Sequence, residues 1–372
     1  MPLSKIQFGN TGNRNLIING AMQVAQRGTV TGMSSGATFG GPDRFASGIT
    51  SHGAYSATQS TTVPTGKGFA KSYKLDCTTA DTSIAANAEV TIQHKFEGHN
   101  LQSIRKGTSE AKSITATFYC RSNLTGTFTL EFFDNDNSRQ CSKNYTISSA
   151  NTWEFKSITF PADTTGTLDD DHLQSAVLVW WLAAGSNFTS GTQNTTAFAS
   201  NTNANRVSSS IVNMSSSTDN EFLLTGVQLE VGDTPTEFEH RSFDEDLVLC
   251  QRYYQLIGRD FSDTTPTTAF AWGYTANGSD AQGMLQFERR MRIKPTFTQS
   301  TDQNLDFRTN AGPGAVHSSN AFTSVVTSET SAEFTQTNHA GNFGGGGQPY
   351  FLKWNGVQGT GLAASVQLDA EL

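Results

Sequence analysis

Thr127-Phe128-Thr129-Leu130-Glu131-Phe132 puts an apolar side chain at every second position, whereas Ala176-Val177-Leu178-Val179-Trp180-Trp181-Leu182 is apolar throughout. Successive side chains of a strand point to opposite sides, so a period of two marks a strand with one buried and one wet face. The unbroken run predicts a central strand covered on both faces. Trp153 and Phe155 alternate with Glu154 and Lys156, and Ile158 and Phe160 then fall on the opposite parity. A β-bulge near Lys156 or Ser157 is therefore expected to bring both pairs inside. Gly40-Gly41-Pro42-Asp43, Asp134-Asn135-Asp136-Asn137 and Asn201-Thr202-Asn203-Ala204-Asn205 are suited to tight connections. Short strands with frequent turns predict an all-β chain built as a sandwich or jelly roll.

Composition points the same way. The 372 residues suffice for two or three domains, and 38 Ser with 49 Thr supply the polar outward faces of strands. Helix formers are sparse while β-branched and aromatic residues are plentiful, Phe alone numbering 25, which fits poorly with helical bundles or coiled coils. Lys and Arg number 25 against 33 Asp and Glu, and a net charge of −8 argues against nucleic acid as a partner. The start, Met1-Pro2-Leu3-Ser4-Lys5, carries no signal-peptide run, and no apolar stretch approaches the roughly 20 residues of a membrane span. The expectation is a soluble protein without membrane insertion. Cys77, Cys120, Cys141 and Cys250 are far apart with no CxxC pair, and read as free, buried thiols.

One helix is predicted near residue 242. Ser242 precedes Glu245 by three positions, acidic residues occupy 244–246, and Phe243, Leu247, Cys250 and Tyr254 form an apolar stripe. That is a capping box with a favourable macrodipole arrangement. The stripe reads first as a surface packed on a sheet and second as a self-association seam, too short to specify a coiled coil alone. Residues 15–241 form one alternating β unit, 242–257 a linking helix, and 258–372 a second, sandwich-like β domain.

No motif supports catalysis. Asp169-Asp170-Asp171-His172 follows a turn and reads as a solvated loop, and Asp134-Asn135-Asp136-Asn137 lacks the glycine and distal glutamate of a calcium loop. The seven histidines show no metal spacing and flank no GxSxG elbow, and the glycine tract at 344–347 lacks the Lys-Ser/Thr ending of a phosphate loop. No catalytic residue, metal or cofactor is assigned. Aromatic rings on a β scaffold remain, because an exposed ring offers sugars an apolar stacking face. Trp153, Trp180 and Trp181 lie in apolar strands and are expected to pack. Trp272, Tyr274, Phe343, Tyr350 and Trp354 sit beside glycines or polar loops and are the ligand-binding candidates.

The segment Asn15-Leu16-Ile17-Ile18-Asn19-Gly20-Ala21-Met22-Gln23-Val24-Ala25-Gln26-Arg27-Gly28-Thr29, followed by Pro42-Asp43-Arg44-Phe45, resembles the opening of domains found in bacteriophage tail fibres and related virion appendages. Thr225-Gly226-Val227-Gln228-Leu229-Glu230-Val231-Gly232, Thr236-Glu237-Phe238-Glu239-His240-Arg241 and Leu249-Cys250-Gln251-Arg252-Tyr253-Tyr254 are similar to their closing segments. Lys106-Gly107-Thr108, Ser113 to Ser122 and Ile158 to Gly166 fit the middle, so the resemblance covers residues 14–255. It implies a jelly-roll sandwich like that of carbohydrate-binding modules, with first and last strands adjacent. Such modules often hold calcium near those strands, but Ala21-Met22-Gln23 and Thr225-Gly226 replace the acidic pattern here, and no metal is expected. Residues 1–14 would serve as a short anchoring segment. The resemblance further implies a non-enzymatic tail-fibre or fibre-tip protein of the virion, made in the host cytoplasm. It would be a homotrimer that contacts other virion proteins and a bacterial surface glycan or receptor. A head-decorating or connecting protein is the alternative, and a polysaccharide depolymerase the third.

Overall fold

The period-two runs form antiparallel strands, which the first unit assembles into two facing sheets. The computed structural model describes residues 14–258, 269–276, 280–299, 305–309, 317–319, 322, 324–336, 346–347, 349–354 and 365–372. The first unit runs to Leu247 and the second from Val248 to Glu371. Strands of the first are β1 (Val30–Met33), β2 (Gly36–Phe39), β3 (Phe45–Thr50), β4 (Ala54–Ser60), β5 (Ser72–Thr79), β6 (Glu89–Glu97) and β7 (Ile114–Ser122). They continue with β8 (Gly126–Asp134), β9 (Arg139–Ile147), β10 (Glu154–Phe160), β11 (Gln174–Ala184), β12 (Ala199–Ser200) and β13 (Glu221–Val231). One sheet has the order β1-β4-β5-β13-β7-β10 and the other β12-β9-β8-β11-β6-β3-β2, a jelly-roll sandwich. Phe45, Phe118, Phe128, Phe132, Phe160 and Trp180 fill the space between them, with Trp180 meeting Phe118 edge-on at 5.8 Å.

The residues that carry the sequence resemblance are those that close this sandwich. Leu16 N donates to Leu229 O at 2.8 Å and Val227 N to Gly20 O at 2.9 Å, so the opening segment lies along β13. Asn15 is buried, its amide donating to Val227 O at 3.1 Å and its carbonyl accepting from Leu229 N at 3.0 Å. Asn19 takes a positive φ of 59° and donates to Val24 O and Asp43 O. A side chain at Gly20 would stand 2.1 Å from Val227 O. Gln228 accepts from Glu239 N, and Glu230 accepts from Thr236 N and Oγ1, which fastens the segment after β13 onto its own sheet. The side chains of Asn15, Asn19, Gln228 and Glu230 are buried, so losing these bonds would leave buried polar groups unsatisfied.

β11 is buried along both faces, as its apolar run predicts. The outer cover is not a layer of helices. Phe188, on the four-residue helix α1 (Ser186–Thr189), and Val207 come from the segment after β11 and pack on Val177, Val179 and Trp181. That cover also buries Thr129 and Glu131 of β8, whose alternation alone predicts a wet face. Glu131 survives there because it accepts from Trp181 Nε1 at 2.8 Å and from Arg206 Nε at 2.8 Å.

Two expectations are corrected. β10 pairs with β7 in unbroken register from Glu154↔Cys120 to Phe160↔Ile114, so no bulge occurs at Lys156 or Ser157. Phe155 consequently faces outward, 51% exposed, against Tyr119, while Ile158 and Phe160 enter the core. The helix α2 (Phe243–Gln251) has the capping box, with Ser242 N donating to Glu245 Oε2 at 2.8 Å and Glu245 N to Ser242 Oγ at 3.2 Å. It ends at Gln251, however, and the unit division falls inside it. Phe243 is exposed, Leu247 half-buried and Cys250 buried; Tyr254, also buried, already belongs to a strand. Their side chains therefore do not form one accessible seam.

The second unit contains β14 (Tyr254–Gly258), β15 (Ala269–Thr275), β16 (Ala281–Gln286), β17 (Thr296–Gln299), β18 (Leu305–Thr309), β19 (His317–Ser319), β20 (Ser324–Thr327), β21 (Ser331–Gln336), β22 (Pro349–Trp354) and β23 (Ser365–Asp369). Sheets β14-β23-β17 and β19-β18-β22-β15-β16-β21-β20 share a core of Ile257, Leu285, Phe287, Met291, Phe334, Val366 and Leu368. Among the described residues no helix is long and apolar enough to cross a membrane.

Buried titratable groups give two predictions. All four cysteines are buried and none is in a disulfide, and burial pushes the thiols of Cys120 and Cys141 up to about 12. The thiolate is the reactive species. Ellman's reagent at pH 8 is therefore expected to label no cysteine in the native protein and all four in urea; rapid native labelling would contradict the packing. His94 lies between Phe45 at 5.0 Å and Phe96 at 4.9 Å, and burial, then Arg44 and Arg241, hold its pKa well below 6.5. A histidine depressed in the folded state takes up its proton first in the unfolded state. Stability is thus lost as pH falls below about 6.5, with a slope approaching 1.4 kcal/mol per pH unit for this one group. Urea titrations between pH 7.5 and 5 should show wild type losing stability relative to His94→Phe at about that slope, and parallel curves would refute it.

Candidate ligand-binding face

Strand pairing in the second unit builds an exposed face from four strands. Trp272 of β15 stands opposite Met284 of β16, Met284 opposite Glu333 of β21, and Glu333 opposite Val326 of β20. One step along, Tyr274 pairs with Gln282 and Gln282 with Thr335. Positions two apart share a face, so these side chains form two parallel rows about 7 Å apart. Trp272 is 54% exposed, Tyr274 50% and Val326 59%. Tyr274 Oη donates to Gln282 Oε1, which fixes the phenol across the strand pair. The rows border a groove of about 440 Å³ whose one charged lining residue, among those described, is Glu333.

The opposite face explains why two glycines face each other here. Gly273 pairs with Gly283, and a side chain on Gly283 would meet the Phe334 ring at 2.6 Å and the Tyr350 hydroxyl at 2.7 Å. Tyr350 is therefore a core residue, 3% exposed, with burial pushing its hydroxyl pKa up. This corrects its assignment as an exposed ligand-binding ring: the nearby glycines make room beneath the sheet instead of exposing the ring. The structure places Trp272 and Tyr274 on one face; Trp354 is the last residue of β22, and Phe343 lies outside the described residues.

Two features of the first unit escape sequence reasoning. Tyr119 carries Phe155 on one side at 5.1 Å and Phe69 on the other at 5.8 Å, and Phe238 and His240 cap Phe69 at 5.0 and 5.3 Å. Gly226 has φ +60°, and a side chain there would meet the Phe69 ring at 2.6 Å. This cluster fastens the segment around residue 238, and Phe155 and His240 remain exposed. The second feature is a cation cage. Lys106 Nζ lies 2.5 Å from Asp134 Oδ2, 3.0 Å from Asp163 Oδ2 and 2.9 Å from both Thr165 O and Gly166 O. Burial alone would raise the Asp163 carboxyl, but hydrogen bonds from Arg139 and Lys106 hold it below the ordinary range. The aspartate-rich turn that loosely suggests a calcium loop thus surrounds a lysine ammonium. Asp169, Asp170 and His172 are exposed, in keeping with a solvated loop, and among the described residues no group of three or more His, Cys, Asp or Glu is placed to hold a metal ion.

No protein-family model and no curated protein sequence matches the chain. Among solved structures it is similar to the enzymatically active domain of tailspike protein 4 from bacteriophage CBA120, at 14% identity and a TM-score of 0.30, covering 59% of this chain and 21% of that one. The chain thus spans about a fifth of that tailspike chain's length. It is also similar to the module TmCBM61 in complex with β-1,4-galactotriose (8% identity, TM-score 0.29, 59% of this chain, 99% of that one). A family 11 carbohydrate-binding module of Clostridium thermocellum gives 13% identity and a TM-score of 0.26, over 56% of this chain and 99% of the other. At such identities and scores the likenesses imply no common ligand or reaction.

Proposed function

We propose that this protein is a non-catalytic attachment component of a bacteriophage particle whose second unit binds a glycan of the bacterial surface. The observation that carries the glycan reading is the pair of exposed rings, Trp272 and Tyr274, held on one sheet beside Gln282, Glu333 and Thr335. Flat apolar rings bordered by a few hydrogen-bonding groups match a sugar, which has a C–H face and a hydroxyl edge. Glycoside cleavage needs two flanking carboxylates, and among the described lining residues the groove offers Glu333. The virion reading is supported by the sequence resemblance across residues 14–255, whose motif residues Asn15, Asn19, Gln228 and Glu230 also make the bonds that close the first sandwich. Contacts at one sugar site are weak, and a homotrimer would raise avidity through effective concentration.

The second reading is a head-decorating or connecting protein, in which the same exposed face is covered by a virion neighbour. Immunogold labelling of intact particles with antibodies against this chain, together with light scattering of the purified protein, tests the proposal. Label at the host-facing end of the tail and a trimer mass are expected. Label on the head would favour decoration, absence of label would refute the virion role, and a monomer would refute the avidity argument.

A further inference from the structure

We infer that the face around Trp272 selects neutral glycans and turns away acidic ones, with Glu333 as the residue that discriminates. This rests on the reading of that face as a glycan site. One row of the face is largely apolar, Trp272, Met284 and Val326, and contains one carboxylate, Glu333. The other row, Tyr274, Gln282 and Thr335, carries a phenol, an amide and a hydroxyl. A sugar ring resting on the apolar row turns its hydroxyl edge toward the polar one. Glu333, exposed and acceptor-only when ionised, can take hydrogen bonds from two neighbouring hydroxyls. Within the groove its negative charge has no cationic companion among the described lining residues, Arg308 of β18 falling in the same row only beyond β22, so a uronate, sialate or phosphate group seated beside Glu333 would enter against it. The chain's net charge of −8 acts in the same sense at longer range. Like charges roughly 6 Å apart in a water-rich groove repel enough to shift affinity about three- to tenfold.

The test uses immobilised oligosaccharides in matched pairs: glucose with glucuronate oligomers, galactose with galacturonate oligomers, and N-acetyllactosamine with its sialylated form. Wild type, Glu333→Gln and Trp272→Ala, each shown to unfold at its normal temperature, are compared on every pair. Wild type is expected to bind the neutral member of a recognised pair about three- to tenfold more tightly. Glu333→Gln should bring that ratio close to one, and 1 M salt should shrink it in wild type, because screening acts on the exposed charge. Equal or tighter binding of acidic members by wild type, with all binding lost in Trp272→Ala, overturns the inference and leaves the glycan face standing. An unchanged ratio in Glu333→Gln does the same. Binding to no pair, or undiminished binding in Trp272→Ala, overturns the glycan face itself and the inference with it.

Discussion

Replacing Lys106 with methionine lowers the stability of the first unit by about 3–5 kcal/mol, the cost of leaving a buried charge without its partner. The side chain is 2% exposed and Asp134 is fully buried, so water cannot take over the ammonium's role. Methionine keeps the stem and removes the charge, which leaves Asp134 with the Asn137 amide and Asp163 with Arg139 and the Thr165 amide. Two backbone carbonyls, Thr165 O and Gly166 O, lose their donor at the same time. The double substitution Lys106→Met with Asp134→Asn should cost less than the sum of the two singles, because the second change removes the charge that the first one strands. Urea unfolding of the four proteins measures both quantities, and a loss below about 1 kcal/mol for Lys106→Met would mean the cage is not closed to solvent in solution.

Trp272→Ala is expected to weaken glycan binding roughly tenfold to a hundredfold with the unfolding temperature unchanged. The ring lies half in solvent, so little folding energy depends on it. A sugar face laid on an indole removes apolar area from water at about 25 cal/mol per Å², to which ring-specific attraction adds about 0.5–1.5 kcal/mol. Tyr274→Phe separates stacking from hydrogen bonding, because it keeps the ring but loses the bond to Gln282. Calorimetric titration of a bound polysaccharide should show the smaller loss for Tyr274→Phe, and affinity unaltered by either change would remove this face from consideration.

The sandwich was legible because its strands alternate wherever one face is wet, and β11 was legible as doubly buried because its run never alternates. Its cover was not, since Phe188, Arg206 and Val207 sit in a stretch dominated by Ser, Thr, Asn and Gly that carries no periodic signal. The misplaced bulge has a related cause: Phe155 packs on Tyr119 across an outer face, so parity alone could not tell an inward ring from an outward one. The apolar stripe Phe243, Leu247, Cys250 and Tyr254 runs past the point where α2 stops, because a strand begins at Tyr254. On the candidate face, glycine beside an aromatic residue carried two opposite meanings. Trp272 and Tyr274 flank Gly273 and face outward, whereas Tyr350 fills the space that Gly273 and Gly283 leave on the inner side. Only the strand register separates the two cases. The Lys106 cage joins the end of β8 to two segments far from it in sequence, and no local spacing announces it.

We propose that the second unit carries a glycan site on the face of Trp272. The most direct test is adhesion of fluorescently labelled wild type and Trp272→Ala to cells of the bacterial host, with an unrelated bacterium as control and soluble host polysaccharide as competitor. Saturable wild-type binding that the polysaccharide displaces and that Trp272→Ala loses is expected. Adhesion that survives both the competitor and the substitution, or no adhesion by folded wild type, would contradict it.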